Sequence, residues 1–236
     1  MNPTVTKPRR KETPEDKKRR ALKIIEILDR TYPTTILALN FTTPLELLIA
    51  LILAAQCTDE RVNQVTATLF KKNRTPQDWA GLPRSTLEAE IRSTGFFRNK
   101  AKAVQECCQE LVNRFGGKVP DKLEELISLP GVGRKTANIL RGNALGQPAI
   151  GVDTHVGRLA QRLELSCETN PDKIEADLNP LVPDEHKVRF CHLLQAHGRT
   201  ICLARKPDCP GCPINHLCPY PAQAKLAPPR KRKRVR

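Results

Sequence analysis

Aromatic residues are scarce: Phe, Trp and Tyr make up 4% of the 236 residues, and there is one tryptophan. The core is therefore expected to consist mostly of Leu, Ile, Val and Ala, in one domain or two small ones. Long apolar runs are missing too, and none approaches the roughly eighteen residues that a membrane-spanning helix needs. The N-terminus is basic with no apolar stretch behind it, which argues against a secretory signal. No segment alternates apolar and polar residues in the manner of a half-buried strand, so the chain reads as all-α. The nine cysteines are odd in number and include the adjacent Cys107 and Cys108. That argues against a secreted disulfide framework and for a reducing compartment.

Acidic residues are outnumbered, 25 against 40 Lys and Arg, for a net charge of +15. Residues 1–23 hold nine Lys/Arg against three acids, and residues 225–236 hold seven against none. The body keeps 24 basic and 22 acidic groups. The ends therefore offer a long-range, salt-sensitive attraction to phosphate backbones, or act as solvated tails. Residues 1–14 and 222–236 are expected to be disordered. PPRKRKRVR has the composition of a nuclear localisation signal and equally of a bacterial DNA-binding tail. The expected location is the cytoplasm, at the nucleoid, in a bacterium and the nucleus in a eukaryote.

Apolar spacing places the helices. One from about Glu15 carries Leu22, Ile24, Ile25 and Leu28 and ends at Tyr32-Pro33, because the residue before proline leaves the helical region. Residues 44–55, PLELLIALILAA, open with proline at a favourable first-turn position and are apolar almost all round, the mark of a central helix. Asp59 is expected to cap the next helix, which runs to about Lys72. Val104, Cys107, Cys108, Leu111, Val112 and Phe115 define a helix over 98–115, closed by Gly116-Gly117. A short helix at about 121–128 precedes one reaching Leu145, and others fit 154–164, 171–179 and 184–201.

Three constellations carry chemistry. In LPGVGRKTANIL, residues 129–140, Pro130 ends one helix while Gly131 and Gly133 permit positive φ and close backbone approach. A second helix then opens on unpartnered amides at its positive end, which makes either an anion site or an ordinary helix–helix turn. Lys135 lies in the first turn, where the helix end and desolvation in a groove favour a neutral amine. Such an amine can form a Schiff base at a sugar's anomeric carbon; a phosphate contact and a solvated charge are the alternatives.

In GVDTHVGR, residues 151–158, Asp153 is placed to cap a helix. A carboxylate fixed there can also stabilise an oxocarbenium-like centre or orient an attacking amine. In CLARKPDCPGCPINHLCPY, Cys202, Cys209, Cys212 and Cys218 follow C-x6-C-x2-C-x5-C. Four thiolates packed so closely repel one another unless a metal or cluster neutralises them, and the ligands alone admit tetrahedral zinc or an iron–sulfur cluster. Arg205 and Lys206 lie in the longest gap between these cysteines, on a loop able to meet phosphate.

With LPGVGRKTAN, VDTHV, AHGRTICLARKPDC and the four-cysteine spacing in that order, the chain resembles the endonuclease III family of helix-hairpin-helix DNA glycosylase/AP lyases, from about Glu15 to Tyr220. The resemblance implies two all-α domains with duplex DNA in the cleft between them. One spans 37–147 and contains the hairpin at about 121–145; the other joins 15–36 to 148–221. It implies a bifunctional enzyme of base-excision repair that removes oxidised, ring-saturated or fragmented pyrimidines and nicks the strand 3′ to the abasic site. Lys135 is then the nucleophile, Asp153 the essential carboxylate, and Cys202, Cys209, Cys212 and Cys218 the ligands of a chiefly structural 4Fe-4S cluster.

By the same resemblance Gly131, Val132, Gly133, Arg134, His155, Arg205 and Lys206 meet DNA. Gln56 of LAAQCTD fills the gap left by a flipped nucleotide, and Phe96 of TGFFRNKA falls at an apolar wedge, bulkier than the leucine often found there. For both, ordinary helix-end packing is the alternative. The implied partner is double-stranded DNA containing damaged pyrimidines or abasic sites, met by a monomer, with no membrane.

Two other readings compete. An adenine-specific mismatch glycosylase shares the hairpin, the aspartate and the cluster. It resembles a monofunctional enzyme without a lysine at the nucleophile position, and usually has a further C-terminal domain, whereas sixteen residues follow Tyr220 here. A non-catalytic DNA-binding module would use the hairpin and tails alone, with no need for Lys135 and Asp153 together.

Overall fold

The structure, a computed structural model, describes residues 12–221. The expected disorder of 1–11 and 222–236 lies outside those residues. At 12–14 the expectation is corrected: Thr13 caps the first helix, Pro14 begins it, and Glu12 receives both Nε and Nη2 of Arg20 at 2.7 Å.

The described residues form eleven α-helices: α1 (Pro14–Thr31), α2 (Pro44–Leu53), α3 (Asp59–Lys72), α4 (Pro76–Gly81), α5 (Arg84–Glu90), α6 (Phe97–Phe115), α7 (Leu123–Ile127), α8 (Arg134–Ala144), α9 (Thr154–Arg162), α10 (Pro171–Leu178) and α11 (Lys187–Thr200). Among the described residues there is no strand, and no helix is long and apolar enough to cross a membrane. The all-α class expected from the sequence is what is found.

Cap chemistry explains many of the starts. Thr13, Thr43, Thr58 and Thr75 each accept a hydrogen bond from the amide three residues on, and Pro14, Pro44 and Pro76 take the first helical position, where no N–H is needed. Thr58, not Asp59, therefore caps α3; Asp59 is the first helical residue, where its charge meets the positive helix end. Apolar periodicity gives no sign of α4 and α5, which are too short to show a period.

Two apolar cores form. One, spanning Leu39 to Leu140, is built around α2 and α6 and encloses Trp79. The other gathers α1 with residues 150–214, burying Ile24, Leu28, Leu159, Leu178, Phe190 and Leu194. The buried face of α1 is Ala21, Ile24, Ile25 and Leu28, with Leu22 at its edge. Helix α1 packs on α11, α2 packs on α8, and α11 also touches α8, so the two units meet along the α8–α11 seam.

In the second unit arginines reach across to backbone carbonyls. Arg20 donates to Leu163 (2.7 Å), Arg158 to Gly198 (2.8 Å), Arg162 to Leu203 (2.8 Å) and Ala204 (3.0 Å), and Arg189 to Tyr32 (2.8 Å).

Candidate active site

The hairpin turn is held from both sides, because Leu129 and Val132 are buried. Gly131 has φ +78°, and a Cβ there would lie 2.9 Å from the Cβ of Ala103 on α6, so only glycine fits without displacing α6. Gly133 departs from expectation: its φ is −90°, and a Cβ would meet nothing within 4 Å. That side of the turn faces open space. Pro130 does not itself end a helix, since α7 closes at Ile127 with Ser128 as its cap. Val132 is buried, and its amide donates to the Leu129 carbonyl within the turn (3.1 Å). Helix α8 starts without a side-chain cap, so its first amides are open to an external acceptor.

An open pocket of about 500 Å³ lies beside that start. Lys135 lines it from α8, Asp153 and Gly157 from the beginning of α9, and Pro171 and Ile174 from α10. Two residues from separate motifs thus share one wall-to-wall space. Asp153 Oδ1 accepts the amides of His155 (2.9 Å) and Val156 (2.8 Å). Oδ2 has no hydrogen-bond partner among the described residues. One oxygen fixes the direction of the carboxylate and the other is left for chemistry. Lys135 is exposed, so the desolvation invoked from sequence is not supplied by the chain alone.

Arg134 and His155 are engaged within the protein. Arg134 donates from Nε to Glu175 Oε2 (2.7 Å) and from Nη2 to Oε1 (2.9 Å), bridging α8 and α10. That bond raises the guanidinium above its ordinary range. His155 is half-buried, with Nδ1 3.2 Å from Arg158 Nη2, and burial lowers its pKa.

Among the described residues four non-glycines have positive φ: Gln56 (54°), Phe96 (47°), Glu164 (52°) and Lys206 (53°). Left-handed backbone costs a non-glycine roughly 1–3 kcal/mol and persists where the surroundings impose it. At Phe96 they do so visibly: the buried Lys100 donates Nζ to Thr94 O at 2.7 Å and pins the preceding turn. Phe96 is 63% exposed and Gln56 is exposed, so helix-end packing does not account for either side chain. Arg205 and Lys206 are exposed as well.

Cys202, Cys209, Cys212 and Cys218 line one cavity with Arg162, His197 and Tyr220. Burial, reinforced by charge on Cys218, Cys202 and Cys209, pushes Cys212 up to about 11. A cationic guest is what would draw such protons off. Arg162 Nη1 lies 3.1 Å from Cys202 Sγ. Among the described residues no group of three or more His, Cys, Asp or Glu side chains is arranged to hold a metal ion.

Sequence reasoning does not find Glu175, Arg158 or Arg162. Glu175 reads as one acid on an amphipathic helix, and only the fold brings it to Arg134. The i,i+4 spacing of Arg158 and Arg162 is legible, but their shared partner, the Cys202 carbonyl, is not.

Residues 49–184 match the family described as HhH-GPD superfamily base excision DNA repair protein. The chain is 49% identical over 204 residues to endonuclease III of Synechocystis sp., covering 86% of this chain and 93% of that one. To endonuclease III of Escherichia coli strain K12 it is 41% identical over 203 residues, covering 84% and 95%. A solved non-covalent endonuclease III–DNA complex matches with a TM-score of 0.82 at 40% identity, over 89% of this chain and 99% of that one. A trapped endonuclease III–DNA covalent intermediate matches with 0.82 at 41% identity, over 88% and 98%.

Proposed function

Because the chain belongs to the HhH-GPD superfamily of base excision DNA repair proteins, we propose that it is a bifunctional DNA N-glycosylase and AP lyase of the endonuclease III type. The observation that carries this is the pocket where an exposed lysine from the hairpin helix stands with a capped carboxylate from the next helix. Its substrates are oxidised, ring-saturated or fragmented pyrimidines and abasic sites in duplex DNA, and it acts as a monomer. It works where DNA and reduced thiols meet, in the nucleoid of a bacterial cell or in a eukaryotic nucleus.

The open amides at the start of α8 take a backbone phosphate, and Arg205 and Lys206 reach the backbone from the cysteine loop. Extruding the damaged nucleotide costs a few kcal/mol, less for a poorly paired base. Gln56 fills the gap and Phe96 wedges beside it. Both are already held in left-handed backbone, so the backbone that presents them is set before binding.

Lys135, as a free amine, attacks C1′; the C1′–N bond breaks and its electron pair leaves with the base, which takes up a proton. Asp153, through Oδ2, stabilises the positive charge developing on the sugar and accepts a proton from the attacking amine. Opening of the sugar ring leaves a protonated Schiff base. Loss of a C2′ proton then expels the 3′ phosphate by β-elimination, and water releases the lysine.

The four thiols of the cysteine loop line one cavity, and a 4Fe-4S cluster, the group that the resemblance to the endonuclease III family implies, fits that donor set. When bound, such a cluster supplies a rigid cross-link among Cys202, Cys209, Cys212 and Cys218 and a redox-active centre. An iron–sulfur charge-transfer band in the purified protein, rather than bound zinc, is the expected result.

Borohydride tests the reaction, since it reduces the Schiff base to a stable adduct. Wild type incubated with abasic-site or thymine-glycol duplex should yield covalent protein–DNA, and Lys135→Ala should yield none. No adduct from wild type, or an adduct from Lys135→Ala, overturns the reading.

A further inference from the structure

Arg134 stands next to Lys135 in a hairpin that faces DNA, and by residue type it would be a phosphate ligand. We infer that it is instead a positioning residue, which with Glu175 holds the first turn of α8 against α10 so that Lys135 meets Asp153 in the pocket. The inference rests on the role proposed above for Lys135.

Three observations lead there. The contact is two-pronged, at 2.7 and 2.9 Å, and the Glu175 side chain is only 10% exposed. Arg134 is the only hydrogen-bond donor to that carboxylate among the described residues, and a carboxylate so placed is costly to leave unpaired. Asp172 lies 3.9 Å from Arg134 Nε, so one guanidinium faces two acids. Such a surround repels phosphate.

The clamp also sits where positioning is needed. Helix α8 has no side-chain cap to fix its first turn. Lys135 and Arg134 are neighbours, and successive side chains on a helix diverge by about 100°. With Arg134 drawn to α10, Lys135 is swung towards the pocket, whose α10 wall includes Ile174, next to Glu175. Arg134 opens a helix packed on the first core and Glu175 lies in a helix of the second, so the pair spans the same seam that divides Lys135 from Asp153.

The test compares full-length wild type with Arg134→Gln, Glu175→Gln, the double variant and Arg134→Lys. It measures single-turnover borohydride trapping on abasic-site duplex, DNA affinity over a range of salt, and thermal melting. Each glutamine variant should slow trapping about tenfold to a hundredfold, the loss expected of a misplaced reacting group. The double variant should be no slower than the slower single one, as for two halves of one device. Arg134→Lys keeps the charge and loses the fork, so it should fall between. Glu175→Gln should leave DNA affinity and its salt slope unchanged.

A phosphate-contact role predicts otherwise. Arg134→Gln would then weaken binding and lower the salt slope by about one, and Glu175→Gln would free the arginine and tighten binding without slowing trapping. Either result overturns the inference, as does lowered melting with trapping unchanged well below the melting point. Should the glutamine variants not fold, Arg134→Lys decides: trapping at the wild-type rate overturns the clamp. Wild type that forms no adduct sinks the proposed function itself; wild type and variants that trap equally fast sink only the clamp.

Discussion

From α2 to α8 the interior is aliphatic, with Leu47, Leu48, Leu53, Val104 and Leu111 fully buried around a single tryptophan. In the second unit a smaller core is supplemented by Arg20, Arg158, Arg162 and Arg189, each donating to carbonyls of distant segments. Among the described residues no arginine of the first unit does this. Apolar packing is non-directional and accepts changes of similar shape, whereas a charged donor on a carbonyl fixes one loop in one place. The first unit is thus a packed body that carries the lysine, and the second a frame of fastened loops that carries the carboxylate.

The largest expected effects test that division of the proposed catalytic pair. Lys135→Ala should abolish the trapped adduct while leaving the melting temperature near that of wild type. Asp153→Asn keeps a good cap and should slow trapping by about a hundredfold to a thousandfold with little change in stability. If Asp153→Asn traps normally, the second unit contributes no chemistry and the comparison breaks.

The next effects sharpen the contrast in how the units are held. Leu48→Ala should cost about 2–5 kcal/mol in urea unfolding, as removal of a fully buried leucine does. Arg162→Ala should cost about 0.5–1.5 kcal/mol, because water can replace its hydrogen bonds to the exposed Leu203 and Ala204 carbonyls. Hydrogen exchange should show the Arg162→Ala loss in α9, α11 and the cysteine loop, with α2 and α6 still protected. Equal loosening of both units would mean that they are one cooperative body.

The smallest effect concerns the seam. His192 lines a small cavity with Leu37 and Asn138, and its Nε2 has no hydrogen-bond partner among the described residues. Burial, then the charge of Arg189, lowers its pKa from 6.5. The unfolded chain therefore takes up this proton more readily than the folded one. Stability is full above pH 6.5 and falls as pH drops below it, by at most about 1.4 kcal/mol per pH unit. His192→Gln should make that acid-side decline shallower without removing it, because His155 and His197 are also lowered. Urea midpoints on the two sides of pH 6.5 check this; an unchanged difference between them breaks the assignment.

Much of the fold is legible because its signals are local. The all-round apolar character of PLELLIALILAA gives a central helix, and the spacing of Val104, Cys107, Cys108 and Leu111 gives the buried face of α6. Helix α4 is legible too, but in its cap and not its period: Thr75-Pro76 with Asp78 repeats the signature of Thr13-Pro14 with Asp16. Lys100 within the α6 stripe is not, since its burial depends on the carbonyl of Thr94 being in reach. At the site, residue chemistry alone left Lys135 and Asp153 with ordinary alternatives, and motif order supplied their roles. The Arg134–Glu175 pair depends on how two units meet, which no spacing along the chain encodes.

Helix α1 leaves the ribosome before any of the helices it packs against in the second core. Helices α2 to α8 can close their interior while the rest is still being made. Ile24, Ile25 and Leu28 must wait for α11, and the loop carrying Cys218 comes later still. The lysine's half of the molecule is finished first and the carboxylate's half later, so a nascent chain has no complete cutting site until α11 and the cysteine loop have been made.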